Sequence, residues 1–215
     1  MKLLAFMLLA SALILPSCED EKLDEYGGYY DEKIQVYRYT KVNRNAKSVK
    51  GLVRPFPGKK QLIDAQIIKL SGNLIWMLIE DRNVYTLLSQ DVDINFKNEK
   101  NSWIAISLEG ISFNPLATKS KKLNKQKNAK IAHIINKITK NKELSLIFEM
   151  KAAGRVLSGV LFLPNADVKD LSKSLNYWII KNGLSPYILP KKQRDIIPEF
   201  IKAEDIARKN KSGIW

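Results

Sequence analysis

The sequence predicts an α+β domain built around a small β-barrel. Three observations carry that expectation. Two β-type runs, Leu62–Leu70 and Leu74–Ile79, are parted by Ser71-Gly72-Asn73 and read as a hairpin. Further along, Ile131, Ile134, Ile135 and Ile138 recur at helical spacing. The order is several strands, a helix, two strands and two helices. That order suits an α+β barrel better than an alternating parallel sheet.

The remaining elements follow in chain order. Val84–Phe96 and Ser102–Phe113 read as two more strands, with Lys97–Asn101 as the turn between them. The first helix is expected over Asn124–Lys140, with His133, the only histidine, on the face opposite the isoleucines. Glu143–Met150 and Arg155–Leu163 read as strands. Leu171, Leu175, Trp178 and Ile179 then form one stripe of a second helix, closed by Gly183 just past its end. A third helix starts near Pro198 and turns Phe200, Ala203, Ile206 and Ala207 inward.

Met1-Lys2 is followed by an apolar stretch from Leu3 to Leu15 and then by Pro16-Ser17-Cys18. A basic start, a short apolar run and small residues before a cleavage site describe an export signal too short to span a bilayer. "LPSC" at Leu15–Cys18 resembles a bacterial lipobox. Because Cys18 is the only cysteine, it has no disulfide partner in the chain. The expected organisation is therefore a signal peptide over 1–17, a lipidated Cys18 with a flexible tether over 18–58, and a domain over 59–215. The expected location is a bacterial cell-envelope membrane, reached through acyl chains on Cys18. A formal net charge of +14 and a pI near 9.7 suggest nucleic acid or another polyanion as partner, although a lysine-rich composition alone gives the same figures.

The stretch "FIKAEDIARKNKSGIW", ending Gly213-Ile214-Trp215, resembles the last helix of the staphylococcal-nuclease-like (thermonuclease) family. "LNYWIIKNGLSPYIL" over Leu175–Leu189 is similar to that family's helix-then-strand segment, with Asn176 and Gly183 in place. Ala152–Leu163 resembles its Tyr-Gly-Arg strand, and Asn128–Glu149 the helix and strand before it. The resemblance implies an OB-type five-stranded β-barrel with three helices, and makes Val84–Asn101 an extra β insertion. It also implies that Trp215 tucks back against the domain as a plug.

The resemblance further implies a calcium-dependent phosphodiesterase site, with carboxylates for a hard cation and arginine forks for the phosphate. Position by position the likeness thins. Asn73 stands where the family has the first aspartate. In "SLEGISFNP", Ser107 replaces the first arginine, Ser112 replaces the second aspartate, and the glutamate is absent. A rival register over Thr86–Asp91 restores an acid at Asp91 but puts Thr86 in place of the arginine. Arg155, after Gly154, matches the second arginine, although Ala153 and Lys151 depart from the residues around it. The catalytic candidates are thus Arg155 and Asp91, and the metal candidates Asn73 and Asp91. A catalytically degenerate site is expected, with no cofactor, and Ca²⁺ only if nuclease activity is retained.

A barrel without catalytic groups still offers single-stranded nucleic acid a basic groove with rings for its bases. The candidate contacts are Trp76 and Tyr187, with Trp103 and Phe113 weighed beside them, and the lysine run Lys119, Lys121, Lys122, Lys125 and Lys127. Two alternatives stay open, an active calcium-dependent endonuclease for DNA or RNA and an envelope module that grips a protein partner.

Overall fold

The computed structural model describes residues 28–39, 60–90, 92–113, 121–149 and 156–215. Within them lie strands β1 (Gly28–Asp31), β2 (Val36–Tyr39), β3 (Lys60–Ser71), β4 (Leu74–Leu78), β5 (Lys97–Asn98), β6 (Trp103–Leu108), β7 (Glu143–Glu149) and β8 (Leu157–Phe162). The helices are α1 (Arg82–Ser89), α2 (Lys121–Thr139), α3 (Leu175–Lys181) and α4 (Pro198–Lys209).

The strands pair in the order β1-β2-β3-β4-β6-β8-β7, and β7 returns to pair with β3. Five strands therefore close into a ring. β3 makes closure feasible because it is 12 residues long. Its second half pairs antiparallel with β4, while Lys60–Gln66 pair with Glu149–Glu143 of β7. The ring's one parallel pair is β6 with β8, through Ile106↔Leu157 to Leu108↔Gly159. A parallel neighbour needs a long crossover, and the connection from β6 through α2 and β7 supplies it. This is the OB-type topology expected from the sequence.

Period-two alternation sets what fills the ring. Ile75 and Met77 of β4, Ile104 and Ile106 of β6, Leu144, Leu146 and Phe148 of β7, and Leu161 of β8 are all buried in one core. The opposite faces of β7 and β8 belong to a second cluster. There Val160 and Phe162 meet Ile180 of α3 and Phe200 and Ala203 of α4.

The hairpin between β3 and β4 turns at Gly72-Asn73 as expected, with Gly72 at φ +60°, a left-handed value that glycine adopts without penalty. Val84–Phe96 does not form a strand. Asp81 accepts hydrogen bonds from the N–H groups of Asn83 and Val84 and starts α1, whose Val84, Leu87 and Leu88 are buried. The stretch between β4 and β6 thus holds a helix, a single helical turn at Ile94–Phe96 and the two-residue β5, and the fold carries four helices rather than three. The tether expected over 18–58 is also corrected within 28–39. Those residues form the β1–β2 hairpin, and β2 pairs parallel with β3 through Tyr37↔Gln61 and Arg38↔Leu62. Residues 40–59 and the N-terminal 27, with Cys18, lie outside the described residues.

At the other end, Ile214 N–H donates to the Gly183 carbonyl at 2.9 Å. The Arg208 guanidinium lies 3.6 Å from the centre of the Trp215 ring. Trp215 does fold back, half-buried beneath an arginine rather than fully plugged into the core.

Candidate nucleic-acid interface

Alternation along β4 sends Ile75 and Met77 into the ring and leaves Leu74, Trp76 and Leu78 half-buried on its outer face. On β6 the partners across that face are Ser107, Ala105 and Trp103. Lys69 of β3 sits directly opposite Trp76. Its ammonium lies 5.2 Å from the centre of the Trp76 ring and 5.8 Å from that of Trp103, within reach of both π-faces. A register shift between Ile67 and Lys69 turns Lys69 outward, which a plain alternating reading of "QIIKL" misses. Trp76 was legible in the sequence as a ring on this surface, whereas Lys69 was not.

The positions where the resemblance implies catalysis surround the end of this face. Asn73 Oδ1 accepts the Phe113 N–H at 2.8 Å, so it ties the β3–β4 turn to the chain leaving β6. Ser107 Oγ donates to the Leu157 carbonyl of β8 at 3.3 Å. Ser112 N–H donates to Ser185 Oγ at 3.0 Å, and that hydroxyl donates back to the Ser112 carbonyl at 2.9 Å. Each of these side chains holds strands and loops together.

The same junction is clamped from below by Asn176, fully buried at the start of α3. Its Oδ1 accepts the Leu161 N–H at 3.1 Å, and its Nδ2 donates to the carbonyls of Glu109 at 2.9 Å and Gly159 at 3.3 Å. One amide thereby satisfies backbone groups on β8 and on the turn after β6.

The structure decides between the two registers. Thr86 lies within α1, its hydroxyl donating to the Arg82 carbonyl at 2.8 Å, and the third strand of the ring is Trp103–Leu108. The register through Ser107 and Ser112 is the one that follows that strand. Asp91, Lys119 and Arg155 lie outside the described residues, as do the side chains of Lys121, Lys122, Lys125 and Lys127 in the first turns of α2.

Tyr187 is not a stacking residue. It is 6% exposed, packs edge-on against Phe200 with ring centres 5.6 Å apart, and its hydroxyl accepts the Ile197 N–H at 2.9 Å where α4 begins. Burial pushes its phenol above the usual range despite that hydrogen bond. Phe113 is likewise buried. His133 is exposed on α2.

A family model for staphylococcal nuclease homologues matches residues 106–215, just over half of the chain. The chain belongs to that family. The match begins inside β6, so β3 and β4 complete the family's ring from outside the matched stretch. Among solved structures, the extended Tudor domain of Drosophila melanogaster Tudor-SN (p100) is similar over 77% of this chain and 78% of that one, at 14% identity and a TM-score of 0.42. No curated protein matches the chain.

For this family member the implied calcium ion can be tested against the donors present. A hard divalent ion takes several oxygens, with carboxylates foremost. Asn73 and Ser112 stand at the two aspartate positions, and the Asn73 oxygen is already engaged by Phe113 N–H. Among the described residues no three His, Cys, Asp or Glu side chains come together. The described residues at this place do not fit the ion.

Proposed function

We propose that this family member is an exported, envelope-anchored lipoprotein whose domain binds single-stranded nucleic acid without cleaving it. The observation that carries the binding is Lys69 set against both Trp76 and Trp103 on the outer face of the second and third ring strands. In OB-type folds that face and its adjoining loops hold single strands, with bases on aromatic rings and phosphates on cations. A net charge of +14 supports the same reading, and Lys119, Lys121, Lys122, Lys125 and Lys127 would extend the cationic path. Loss of catalysis is supported by serine at the first arginine position and by asparagine and serine at the aspartate positions. Anchoring is supported by the lipobox-like Leu15–Cys18.

The test is anisotropy with a labelled single-stranded oligonucleotide at two salt concentrations, run beside a cleavage assay with and without calcium. Binding should weaken steeply with salt. Trp76→Ala should weaken it roughly 5- to 100-fold, the range for losing one stacked base, and Lys69→Gln should do so with less threat to folding. Affinity unchanged in both variants would remove this face from the reading. Calcium-dependent cleavage abolished by Arg155→Ala would make the protein an active nuclease instead, assembled with residues such as Asp91. Acyl labelling that persists in Cys18→Ser would sink the anchor.

A further inference from the structure

A second concave surface lies on other strands, on the outside of β7 and β8. It is a groove of about 870 Å³. Its floor is Val160 and Phe162 of β8 with Ile147 of β7, continuous with the second core cluster. Its walls come from three further segments: Ile34 in the β1–β2 turn, Val168 and Leu171 before α3, and Ile196 and Ile197 before α4. All five wall residues remain half-buried, which leaves an apolar trough open to solvent.

Four exposed lysines, Lys33, Lys60, Lys169 and Lys192, line the same groove, against the two carboxylates of Glu109 and Asp195. Those lysines come from four places in the chain, so their convergence is a product of the fold. The occupant has to satisfy both features. A peptide or nucleotide laid on this floor would bring N–H and C=O groups against Val160, Phe162 and Ile147 with nothing to pair them, at a cost that disfavours it. An alkyl chain brings none. The cations are ammonium groups on flexible stems, which recognise a point of negative charge rather than the planar geometry an arginine fork selects. A volume of this size also falls within the usual range for a small amphiphile.

We propose that this groove binds a long-chain carboxylate, with the chain on Val160, Phe162 and Ile147 and the head group among the lysines. The site is separate from the Lys69 face and stands or falls without it.

The experiment titrates the full chain with a fluorescent fatty acid kept below its micelle threshold, then displaces the probe with palmitate, with the uncharged alcohol of the same length, and with octanoate. Saturable binding is expected, with palmitate displacing the probe more strongly than either competitor. A Lys169→Gln/Lys192→Gln double variant, exposed and harmless to the core, should bind palmitate roughly 5-fold more weakly and the alcohol unchanged, as expected for two solvent-exposed charge contacts. Ile196→Ser should weaken acid and alcohol alike. Three results would overturn the proposal: no saturable binding, the alcohol binding as tightly as the acid, or unchanged palmitate affinity in the lysine variant. Displacement of the probe by a single-stranded oligonucleotide as effectively as by palmitate would also overturn it and assign the lysines to a polyanion.

Discussion

Asn176 shows how one side chain can outweigh its size. Its amide meets three backbone groups from two strands' ends, and leaving buried polar groups unpaired costs about 1–3 kcal/mol each. Asn176→Ala should therefore lose about 3 kcal/mol or more of stability in chemical denaturation. Tyr85 is the reverse case. Its hydroxyl is buried without a partner, so Tyr85→Phe removes a desolvated group and breaks no bond. That variant should be neutral or more stable by up to about 1 kcal/mol in the same assay. Burial first, and then the charge of Glu99, raise the Tyr85 phenol above its usual range, and burial likewise raises Tyr187. A raised folded value means the unfolded chain gives up these protons first. Stability from both tyrosines is complete below about pH 10 and is lost as pH rises through the folded values, and Tyr85→Phe should flatten part of that alkaline decline.

Elements with a strong local signal were legible. The Ser71-Gly72-Asn73 turn, the isoleucine stripe of α2 and Pro198 at the head of α4 each name their structure through one local cause. α1 was not legible as a helix because Val84-Tyr85-Thr86 is β-branched and aromatic, yet Asp81 caps it and Val84, Leu87 and Leu88 meet the core at i, i+3 and i+4. β1 and β2 were hidden for another reason. Their acidic, glycine-containing neighbourhood has no apolar period, and only pairing with β3 makes them strands. At the candidate interface, Asn73, Ser107 and Ser112 could be placed only through the family resemblance, and Lys69 needed the bulge in β3. The junction of α3 with the C-terminal segment offers its own test. Gly183 sits at φ +63°, and a Cβ there would come within 2.0 Å of the Ser212 carbonyl oxygen, so both the conformation and the contact exclude a side chain. Gly183→Ala should cost at least about 1 kcal/mol and release the Ile214 hydrogen bond, read as lower melting temperature with faster amide exchange at Ile214.

At the scale of the whole molecule, the two faces divide the chemistry. The β4–β6 face presents rings with one cation, and the β7–β8 face presents an apolar trough with a cationic rim. Both depend on a ring whose closure joins β3 to β7, residues some eighty positions apart, as in Asp64↔Ser145. Such long-range pairing must be found before it stabilises anything, and folding on the slower, millisecond-to-second side is expected in stopped-flow refolding. Closure also has a consequence for where the chain can be cut. A fragment trimmed to the family match at residue 106 would discard β3 and β4. β6 would lose its β4 partner and β7 its β3 partner, leaving two bare, apolar edges of the kind that recruit further strands. That fragment should form aggregates on expression, whereas one beginning before Gly28 should stay dispersed.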